Sequence, residues 1–241
     1  MYRTFREAKD KINNKIYIYG DDYNHIKNSL RLNKGDLIHQ VIDDKIYITK
    51  IESIESDKII SEIIGEDTTH YESNININLF QCILKSDKND YIIQKCTELG
   101  VNEITFVQTE RTVVKIENTK WAKKKNRFEK IALEASKQSK RIKIPKIKDI
   151  ISISDIPVFE NSLNLVFYEK ETEDLKSVLQ KCHFENINIV IGPEGGLSDN
   201  NIAMLKQKGF ISVSLGKRIL RADTAPICAL SILQYEIGDI N

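Results

Sequence analysis

The segment IGPEGGLS at residues 191–198 combines residue types and a spacing that favour ligand binding. Its three glycines stand between an apolar run and a helix that Ser198 or Asp199 would cap, and such a turn can present backbone N–H groups to a ligand. A phosphate loop would need Gly-Lys-Ser or Gly-Lys-Thr after the turn, and Glu194 would oppose a phosphate. The turn therefore favours a ligand that is neutral or positively charged, such as a nucleoside with a sulfonium and an ammonium group. A turn that only joins a strand to a helix is the alternative.

A second candidate segment, SLGKRILRADTA at residues 214–225, also begins where a strand is predicted to end and runs into a predicted helix. An adenine ring needs apolar walls and a few backbone hydrogen bonds, and this loop can offer both. The apolar residues are Leu215, Ile219 and Leu220, beside Gly216 and the cations Lys217, Arg218 and Arg221. A loop that fills the core and leaves its arginines at the surface is the alternative.

Basic residues are concentrated between residues 115 and 148. This stretch has 13 Lys and Arg residues against three Glu residues, a net charge of +10 in a chain whose net charge is +1. Phosphate contacts release counterions and supply most of the non-specific affinity for nucleic acids, so the stretch favours a polyanionic partner. A solvated, lysine-rich helix face is the alternative. Within the stretch, Trp121 and Phe128 are expected to pack in the core and not to stack on bases.

The composition limits the class of protein. With 41% hydrophobic and 29% charged residues, the 241-residue chain belongs with folded proteins and not with disordered ones. The N-terminus is charged from its third residue, and no apolar run approaches the roughly 20 residues of a membrane span, so a cytoplasmic protein is expected. No metal site is expected, because metal-ligand spacing is absent around the cysteines, which should be buried reduced thiols: Cys82, Cys96, Cys182 and Cys228.

Two patterns of secondary structure divide the chain. Short β-branched runs between Lys15 and about Ile64 are broken by polar turns and predict a small β-barrel. Residues 65–73 are polar without apolar periodicity, which places a domain boundary there. Beyond it, strands alternate with helices, among them a basic helix near residues 119–140, so the second domain is predicted to be α/β with parallel strands. Ligands of such sheets bind outside the carboxyl ends of the strands, where both candidate segments lie.

Five segments, in chain order, resemble the RsmE family, the small-subunit ribosomal RNA uridine-N3 methyltransferases of the SPOUT superfamily. They are HIKNSLRLNKGD, QKCTELGV, EASKQSKR, IGPEGGLS and SLGKRILRADTA, followed by Leu233-Gln234 and Gly238-Asp239. The match covers nearly the whole chain. The chain departs from the family pattern at Leu197, where an aromatic is common, and at Lys140, where glycine is common. It also has Asp223 in place of glutamate, which leaves the role of Asp223 undefined.

The resemblance implies an α/β fold with two domains. A PUA-like β-barrel that binds RNA is expected over residues 1–72, and a SPOUT methyltransferase domain with a parallel sheet and a deep trefoil knot over residues 73–241. The implied cofactor is S-adenosylmethionine, bound in the knot, and the implied assembly is a homodimer with its sites near the subunit interface. The implied partner is small-subunit ribosomal RNA, either naked or in the assembled small subunit. Neither a membrane nor a metal is expected to take part.

The resemblance also implies roles for individual residues. The cofactor is expected to contact Ile191, Gly192, Pro193, Glu194, Gly195, Gly196, Leu215, Gly216, Ile219, Leu220, Arg221, Thr224 and Ala225. RNA is expected to contact Arg31, Lys34, Lys123, Lys124, Lys125, Gln138 and Arg141. Arg221 is the catalytic candidate, because a cation can stabilise the negative charge that spreads onto O2 and O4 of uracil when N3 loses its proton.

Several alternatives stay open at this point. Arg221 can instead pair with Asp223 or Glu194, and no general base can be named, because His25, His39 and His70 belong to the barrel or its linker and His183 to a polar connection. A methyltransferase of the same fold can act on another RNA position, such as a ribose 2′-OH. A non-catalytic RNA-binding factor for ribosome assembly can keep the fold, although the intact glycines, Arg221 and Thr224 argue against decay.

Overall fold

The computed structural model describes residues 1–114, 116, 118–171, 173–180 and 184–240, without the side chains of residues 118 and 119. Lys115, Cys182 and His183, which entered the sequence interpretation, lie outside the described residues. The chain divides into two compact units, Met1–Glu72 with Ser136–Lys143 and Ser73–Ala135 with Ile144–Asn241. The division after Glu72 coincides with the boundary expected from the sequence. Residues 136–143, expected in the second domain, belong instead to the first unit.

The first unit is built on a six-stranded sheet. Its elements are β1 (Arg3–Phe5), β2 (Lys11–Ile12), β3 (Lys15–Ile18), α1 (Gly20–Asn24), β4 (Leu37–Ile42), β5 (Lys45–Ile54) and β6 (Ile59–Asp67). The strand order is β1-β4-β5-β6-β3-β2, and the β1–β4 pair is parallel whereas the other pairs are antiparallel. Alternating isoleucines place their side chains in one core: Ile18, Ile38, Ile51 and Ile59. The four β-branched runs predicted as strands are thus confirmed as β3 to β6.

Strand β1 was not predicted, because two of its three residues are polar. Arg3 is only 1% exposed and Thr4 is fully buried. The Arg3 guanidinium lies over the ring of Tyr71, 4.4 Å from its centroid, and donates hydrogen bonds to the main-chain carbonyls of Lys140 and Arg141. A buried guanidinium is tolerated only where such partners replace water, and sequence patterning does not show where those partners lie.

Ion pairs connect residues 136–143 to the rest of the first unit. Lys137 Nζ lies 2.7 Å from Asp22 Oδ1, and both side chains are buried. Arg141 Nη2 lies 2.8 Å from Glu72 Oε2, and Glu72 Oε1 also accepts hydrogen bonds from two main-chain N–H groups, at residues 142 and 143. Removing one partner of a buried pair leaves an uncompensated charge, so these contacts fix the segment in the first unit.

The second unit is a parallel α/β structure. Its elements are β7 (Asn76–Cys82), α2 (Lys88–Glu98), β8 (Val101–Gln108), α3 (Asn118–Gln138), β9 (Lys146–Ile147), β10 (Ile151–Ser152), β11 (Leu163–Phe167), α4 (Leu175–Leu179), β12 (Asn186–Ile191), α5 (Asp199–Gln207), β13 (Ile211–Val213) and α6 (Ala225–Ile237). The described strands follow the order β10-β8-β7-β12-β11-β13, with β9 beside β8, and all of these pairs are parallel. The α/β prediction is confirmed; the two-residue strands β9 and β10 were not predicted.

Helices cover both faces of this sheet. Successive strand residues point to opposite faces, so Leu79 packs in the cluster that includes α2, α3 and α6, whereas Phe80 packs in the cluster that includes α5. In the first cluster, Trp121 and Phe128 are 5% and 3% exposed and both contact the ring of Phe106. Their predicted place in the core is confirmed. Every helix among the described residues is too short or too polar to cross a lipid bilayer.

The carboxylate of Asp67, at the end of β6, should make the stability of the protein depend on acid pH. Hydrogen bonds from Thr69, and a further one from the Tyr71 hydroxyl at 2.9 Å, lower its pKa from 3.8 to about 2. Because the folded-state pKa lies below the unfolded one, the stabilisation is present above about pH 4 and is lost as the pH falls through about 2. We expect Asp67→Asn to lower the free energy of unfolding at pH 7 by about 1 kcal/mol and to flatten its dependence on pH below 4.

Urea unfolding of both proteins between pH 2 and 7 measures this difference. Asp57→Asn is a matched control, because Asp57 is an exposed aspartate of the same unit that accepts no hydrogen bond from the described residues. Equal pH dependence in the Asp67 and Asp57 variants would contradict the assignment.

Candidate functional site

The parallel sheet places the two candidate segments at one edge. Strands β7, β8, β11, β12 and β13 run in the same direction, so the loops that follow them leave from the same side of the sheet. We call residues 192–198, after β12, the glycine loop, and residues 214–224, after β13, the basic loop. In the sheet, β12 lies between β7 and β11, and β11 lies between β12 and β13. The loops after β7 and β11 therefore leave the sheet next to the glycine loop, although they are distant from it in the sequence.

The glycine loop is a tight turn that ends in a helix cap. The Gly196 N–H donates to the Pro193 carbonyl at 2.9 Å, and Gly196 has a positive φ of 69°, a conformation that glycine adopts without strain. A Cβ added to Gly192 would lie 3.1 Å from Leu197 Cγ, so this position is also crowded. Ser198 accepts a hydrogen bond from the Asn201 N–H at 3.2 Å and begins α5, as the sequence predicted.

Residues from the neighbouring strand ends hold this loop. Glu194 Oε1 accepts a hydrogen bond from the Lys85 N–H, after β7, at 3.2 Å. The Arg111 guanidinium, after β8, donates to the carbonyls of Gly195 and Leu197 at 3.3 and 3.2 Å. Glu194 therefore braces the loop through a contact within the chain.

The start of α5 is held in the same way. Glu110, next to Arg111, accepts a hydrogen bond from Asn201 Nδ2 at 3.3 Å, and a hydrogen bond with the Ser198 side chain lowers the pKa of its carboxyl group. The Tyr168 hydroxyl, after β11, donates to Asp199 at 2.5 Å, which raises the pKa of Tyr168 and lowers that of Asp199.

Four supporting residues were therefore missed by sequence interpretation: Lys85, Glu110, Arg111 and Tyr168. Each lies one to three residues beyond the end of a parallel strand. This common position is the signal that could have drawn attention to them, since such loops line the ligand edge of an α/β sheet. Their partners, in the glycine loop and at the start of α5, could not have been read from spacing.

Two carboxylates give the glycine loop a negative environment. Glu169, after β11, is exposed, and its Oε1 lies 2.9 Å from where a Cβ on Gly196 would be. Glu194 is exposed in the loop itself. Carboxylates in this position oppose an anionic ligand and favour a cationic one, which agrees with the argument against a phosphate loop.

The basic loop contributes apolar and cationic side chains. Leu215, Ala222 and Ala225 pack against the main core cluster of this unit, and Gly216 has a positive φ of 104°. Ile219, in contrast, is 81% exposed. Its predicted role as an apolar wall therefore has no support from packing within this chain, and it stays a prediction.

Arg221 is free of the ion pairs that formed its alternative role. Its carbonyl accepts hydrogen bonds from the N–H groups of Thr224 and Ala225, both at 2.9 Å, where α6 begins. Its side chain is exposed and contacts no acceptor among the described residues. Asp223 lies instead 3.9 Å from Lys88 Nζ, and its Oδ1 is buried without a hydrogen-bond partner in the described structure. The Arg221 guanidinium is thus available to a substrate.

The residues predicted to bind RNA differ in their exposure. Arg31, Lys34, Lys123, Lys124 and Gln138 are exposed. Lys125 is partly buried and its Nζ lies 2.7 Å from Asp149 Oδ1. Arg141 is 3% exposed and paired with Glu72, which gives it a structural role that the sequence interpretation did not include. RNA contacts of the whole set stay a prediction. In the part of the chain that the structure describes, no group of three His, Cys, Asp or Glu residues is arranged to hold a metal ion.

Comparisons with known proteins place these features in a family context. Residues 71–234 match the family described as the RNA methyltransferase domain, and residues 18–64 match the RNA methyltransferase PUA domain. The chain is 33% identical over 230 residues to the ribosomal RNA small subunit methyltransferase E of Bacillus subtilis, covering 91% of this chain and 89% of that protein. It is 34% identical over 235 residues to the protein of the same name from Buchnera aphidicola subsp. Schizaphis graminum, covering 95% and 94%.

A solved structure shows that the similarity extends to the fold. The crystal structure of a ribosomal RNA small subunit methyltransferase E from Neisseria gonorrhoeae, bound to S-adenosyl methionine, superposes with a TM-score of 0.89. Sequence identity is 29%, and the alignment covers 100% of both chains. The similarity therefore spans both units and leaves no part of either chain unmatched.

The contact between Glu194 and Lys85 predicts a difference between two substitutions. Glu194→Ala removes the acceptor, so we expect the free energy of unfolding to fall by about 1 kcal/mol and the Lys85 amide hydrogen to exchange faster. Glu194→Gln keeps an acceptor oxygen, so both quantities should stay near those of the unmodified protein. Urea unfolding and hydrogen exchange followed by mass spectrometry measure them. Glu160→Ala, at an exposed glutamate of the same unit, is the control. Equal exchange of the Lys85 amide in all variants would show that Glu194 does not brace the loop.

Proposed function

The chain belongs to the ribosomal RNA small subunit methyltransferase E family, and we propose that it transfers a methyl group from S-adenosylmethionine to N3 of one uridine in small-subunit ribosomal RNA. The observation that carries this proposal is that the glycine loop and the basic loop leave the parallel sheet from the same side, in a chain similar to the family over nearly its whole length. The relative from Neisseria gonorrhoeae binds the same cofactor.

The residues at this edge fit S-adenosylmethionine. The N–H groups of Gly195 and Leu197 have no acceptor among the described residues, so they can bind a ligand. The carboxylates of Glu169 and Glu194 suit the positive charge of a sulfonium and an ammonium group. The buried, unpaired Oδ1 of Asp223 is a further acceptor beside the basic loop. The proposed cofactor contacts are those expected from the sequence: Ile191, Gly192, Pro193, Glu194, Gly195, Gly196, Leu215, Gly216, Ile219, Leu220, Arg221, Thr224 and Ala225.

The chemistry places two demands on the chain. When bound, S-adenosylmethionine supplies an electrophilic methyl group, so the chain must hold uracil N3 in line with it at about 3 to 3.5 Å. Loss of the N3 proton leaves negative charge on O2 and O4 of the base, and a positioned cation lowers the cost of that charge. Arg221 is the residue that we propose for this role, because its guanidinium is exposed and unpaired in the described structure. The base that removes the proton is not assigned.

Further features follow from the same family assignment. We propose that the second unit carries the trefoil knot, that the first unit helps to hold RNA, and that the protein works as a cytoplasmic homodimer without a metal. The proposed substrate is small-subunit ribosomal RNA, either naked or in the assembled small subunit.

Methylation of small subunits from a strain that lacks the native activity tests the proposed function. The purified protein with S-adenosylmethionine should produce one N3-methyluridine, identified by nucleoside mass spectrometry. A 2′-O-methylated nucleoside would point to the ribose instead. Absence of any product, together with absence of cofactor binding in calorimetry, would favour a non-catalytic assembly factor.

The same assay checks the role of Arg221. Arg221→Lys keeps the charge but loses the planar fork that can meet a carbonyl oxygen, so we expect kcat to fall at least about tenfold. Lys217→Gln is the control: it removes a positive charge from the same loop and shows how far kcat depends on the charge of the loop alone. An Arg221→Lys variant with the original kcat would exclude the role.

The exposure of the basic helix predicts unequal effects of its lysines on RNA binding. Lys123→Gln combined with Lys124→Gln removes two exposed cations, so RNA affinity should fall and the slope of log affinity against log salt should decrease by about 1 to 2. Lys125→Gln should have a smaller effect, because Lys125 is already paired with Asp149. Filter binding over a series of salt concentrations measures the slopes, and calorimetry should give an unchanged cofactor affinity. Equal slopes for all variants would place the RNA elsewhere.

A further inference from the structure

The loop after β8 is a rigid turn that directs one arginine toward the glycine loop. The Thr109 N–H donates to Thr112 Oγ1 at 2.8 Å, and the Thr112 N–H donates back to the Thr109 carbonyl at 3.2 Å. Both threonines are buried, 8% and 4% exposed. The Arg111 N–H donates to Thr109 Oγ1 at 3.2 Å. Hydrogen bonds within the turn thus fix the backbone of Arg111 independently of the contacts that its side chain makes.

The Arg111 guanidinium completes the hydrogen bonding of two peptide groups of the glycine loop. It binds the carbonyls of Gly195 and Leu197. The N–H groups of the same two peptide units, at Gly196 and Ser198, donate to the Pro193 carbonyl at 2.9 Å and to Asn201 Oδ1 at 3.3 Å. Each of these peptide planes is therefore held at both ends, and neither can rotate without losing two hydrogen bonds.

The two peptide planes that alternate with these, Glu194–Gly195 and Gly196–Leu197, have N–H groups without a partner among the described residues. Gly195 and Leu197 donate to no acceptor among the described residues. A glycine-rich loop samples many conformations when its peptide groups are unrestrained, and ordering it on binding would reduce affinity. Fixing the alternate planes presents the free donors in one arrangement.

We propose that Arg111 is a positioning residue of the cofactor site, which holds the glycine loop in the conformation whose free N–H groups at Gly195 and Leu197 receive S-adenosylmethionine. The inference rests on the proposed function and deepens it, because it assigns the pre-organisation of the site to a side chain from a different loop. Arg111 acts through main-chain carbonyls and not by its charge on the ligand, since a cation beside a sulfonium would by itself disfavour binding.

Affinity for two ligands distinguishes positioning from charge. We expect Arg111→Gln to raise the Kd for S-adenosylmethionine by about 5- to 10-fold, the effect of losing a pair of exposed, charge-assisted hydrogen bonds. The Kd for S-adenosylhomocysteine, which lacks the sulfonium charge, should rise by the same factor. Arg111→Lys can still reach a carbonyl and should recover part of the affinity. Titration calorimetry well below the unfolding temperature measures these Kd values for the unmodified protein and for both variants.

The chain offers a matched control for the loss of a cation bonded to main chain. Lys208, beyond α5, donates to the carbonyls of Ser154 and Ile156, as Arg111 does to the glycine loop. Lys208→Gln should lower thermal stability to a similar extent and leave both Kd values unchanged. In the methylation assay, Arg111→Gln should raise KM for S-adenosylmethionine more than it lowers kcat, without changing KM for the small subunit.

The possible results separate the inference from the function that it rests on. If the unmodified protein binds no S-adenosylmethionine, the proposed function fails. If it binds and Arg111→Gln binds as tightly as Lys208→Gln does, only the role of Arg111 is overturned. If Arg111→Gln lowers the Kd for S-adenosylmethionine but not for S-adenosylhomocysteine, Arg111 acts by its charge. If Arg111→Gln raises only the KM for the small subunit, Arg111 binds RNA phosphate.

Discussion

Parallel pairing of β7, β8, β11, β12 and β13 is the constraint on which the candidate site depends. Parallel strands deliver all the loops after their carboxyl ends to one edge of the sheet. The glycine loop and the basic loop are separated by a helix and a strand along the chain, yet they leave the sheet from the same side. Lys85, Arg111 and Glu169 arrive at that side for the same reason.

The second constraint is that main-chain polar groups near the core must find partners. A glycine-rich loop has few side chains of its own with which to satisfy its carbonyl groups. In this chain the neighbouring strand ends supply the partners: the Arg111 guanidinium binds two carbonyls, and Glu194 of the loop accepts from the main chain after β7. The N–H groups of Gly195 and Leu197 have no acceptor among the described residues, and they are the donors that the proposed site offers to a ligand.

Charge has a different use in the first unit. Arg3, Asp22, Glu72, Lys137 and Arg141 are buried there with partners for their charged groups. Such pairs contribute modestly to net stability, but they are costly to disrupt. These pairs explain why Lys137 and Arg141, which belong to the stretch interpreted as an RNA-facing surface, lie in the interior of the first unit. Lys123 and Lys124 remain exposed, so the basic stretch divides into residues that build the fold and residues that can meet phosphate.

The sequence by itself determined the class of the fold, the order of most strands and helices, and the two loops of the site. Apolar periodicity and glycine spacing are local properties, and they predicted β3 to β8, the helix cap at Ser198 and the core positions of Trp121 and Phe128. Strand β1 escaped because its buried Arg3 and Thr4 look exposed until their distant partners are known. Only the tertiary structure decided that Arg141 forms an internal ion pair, that the Arg221 side chain has no partner among the described residues, and that Arg111 holds the glycine loop. These outcomes depend on residues far apart in the chain, whose meeting is set by strand order in the sheet and not by any spacing along the sequence.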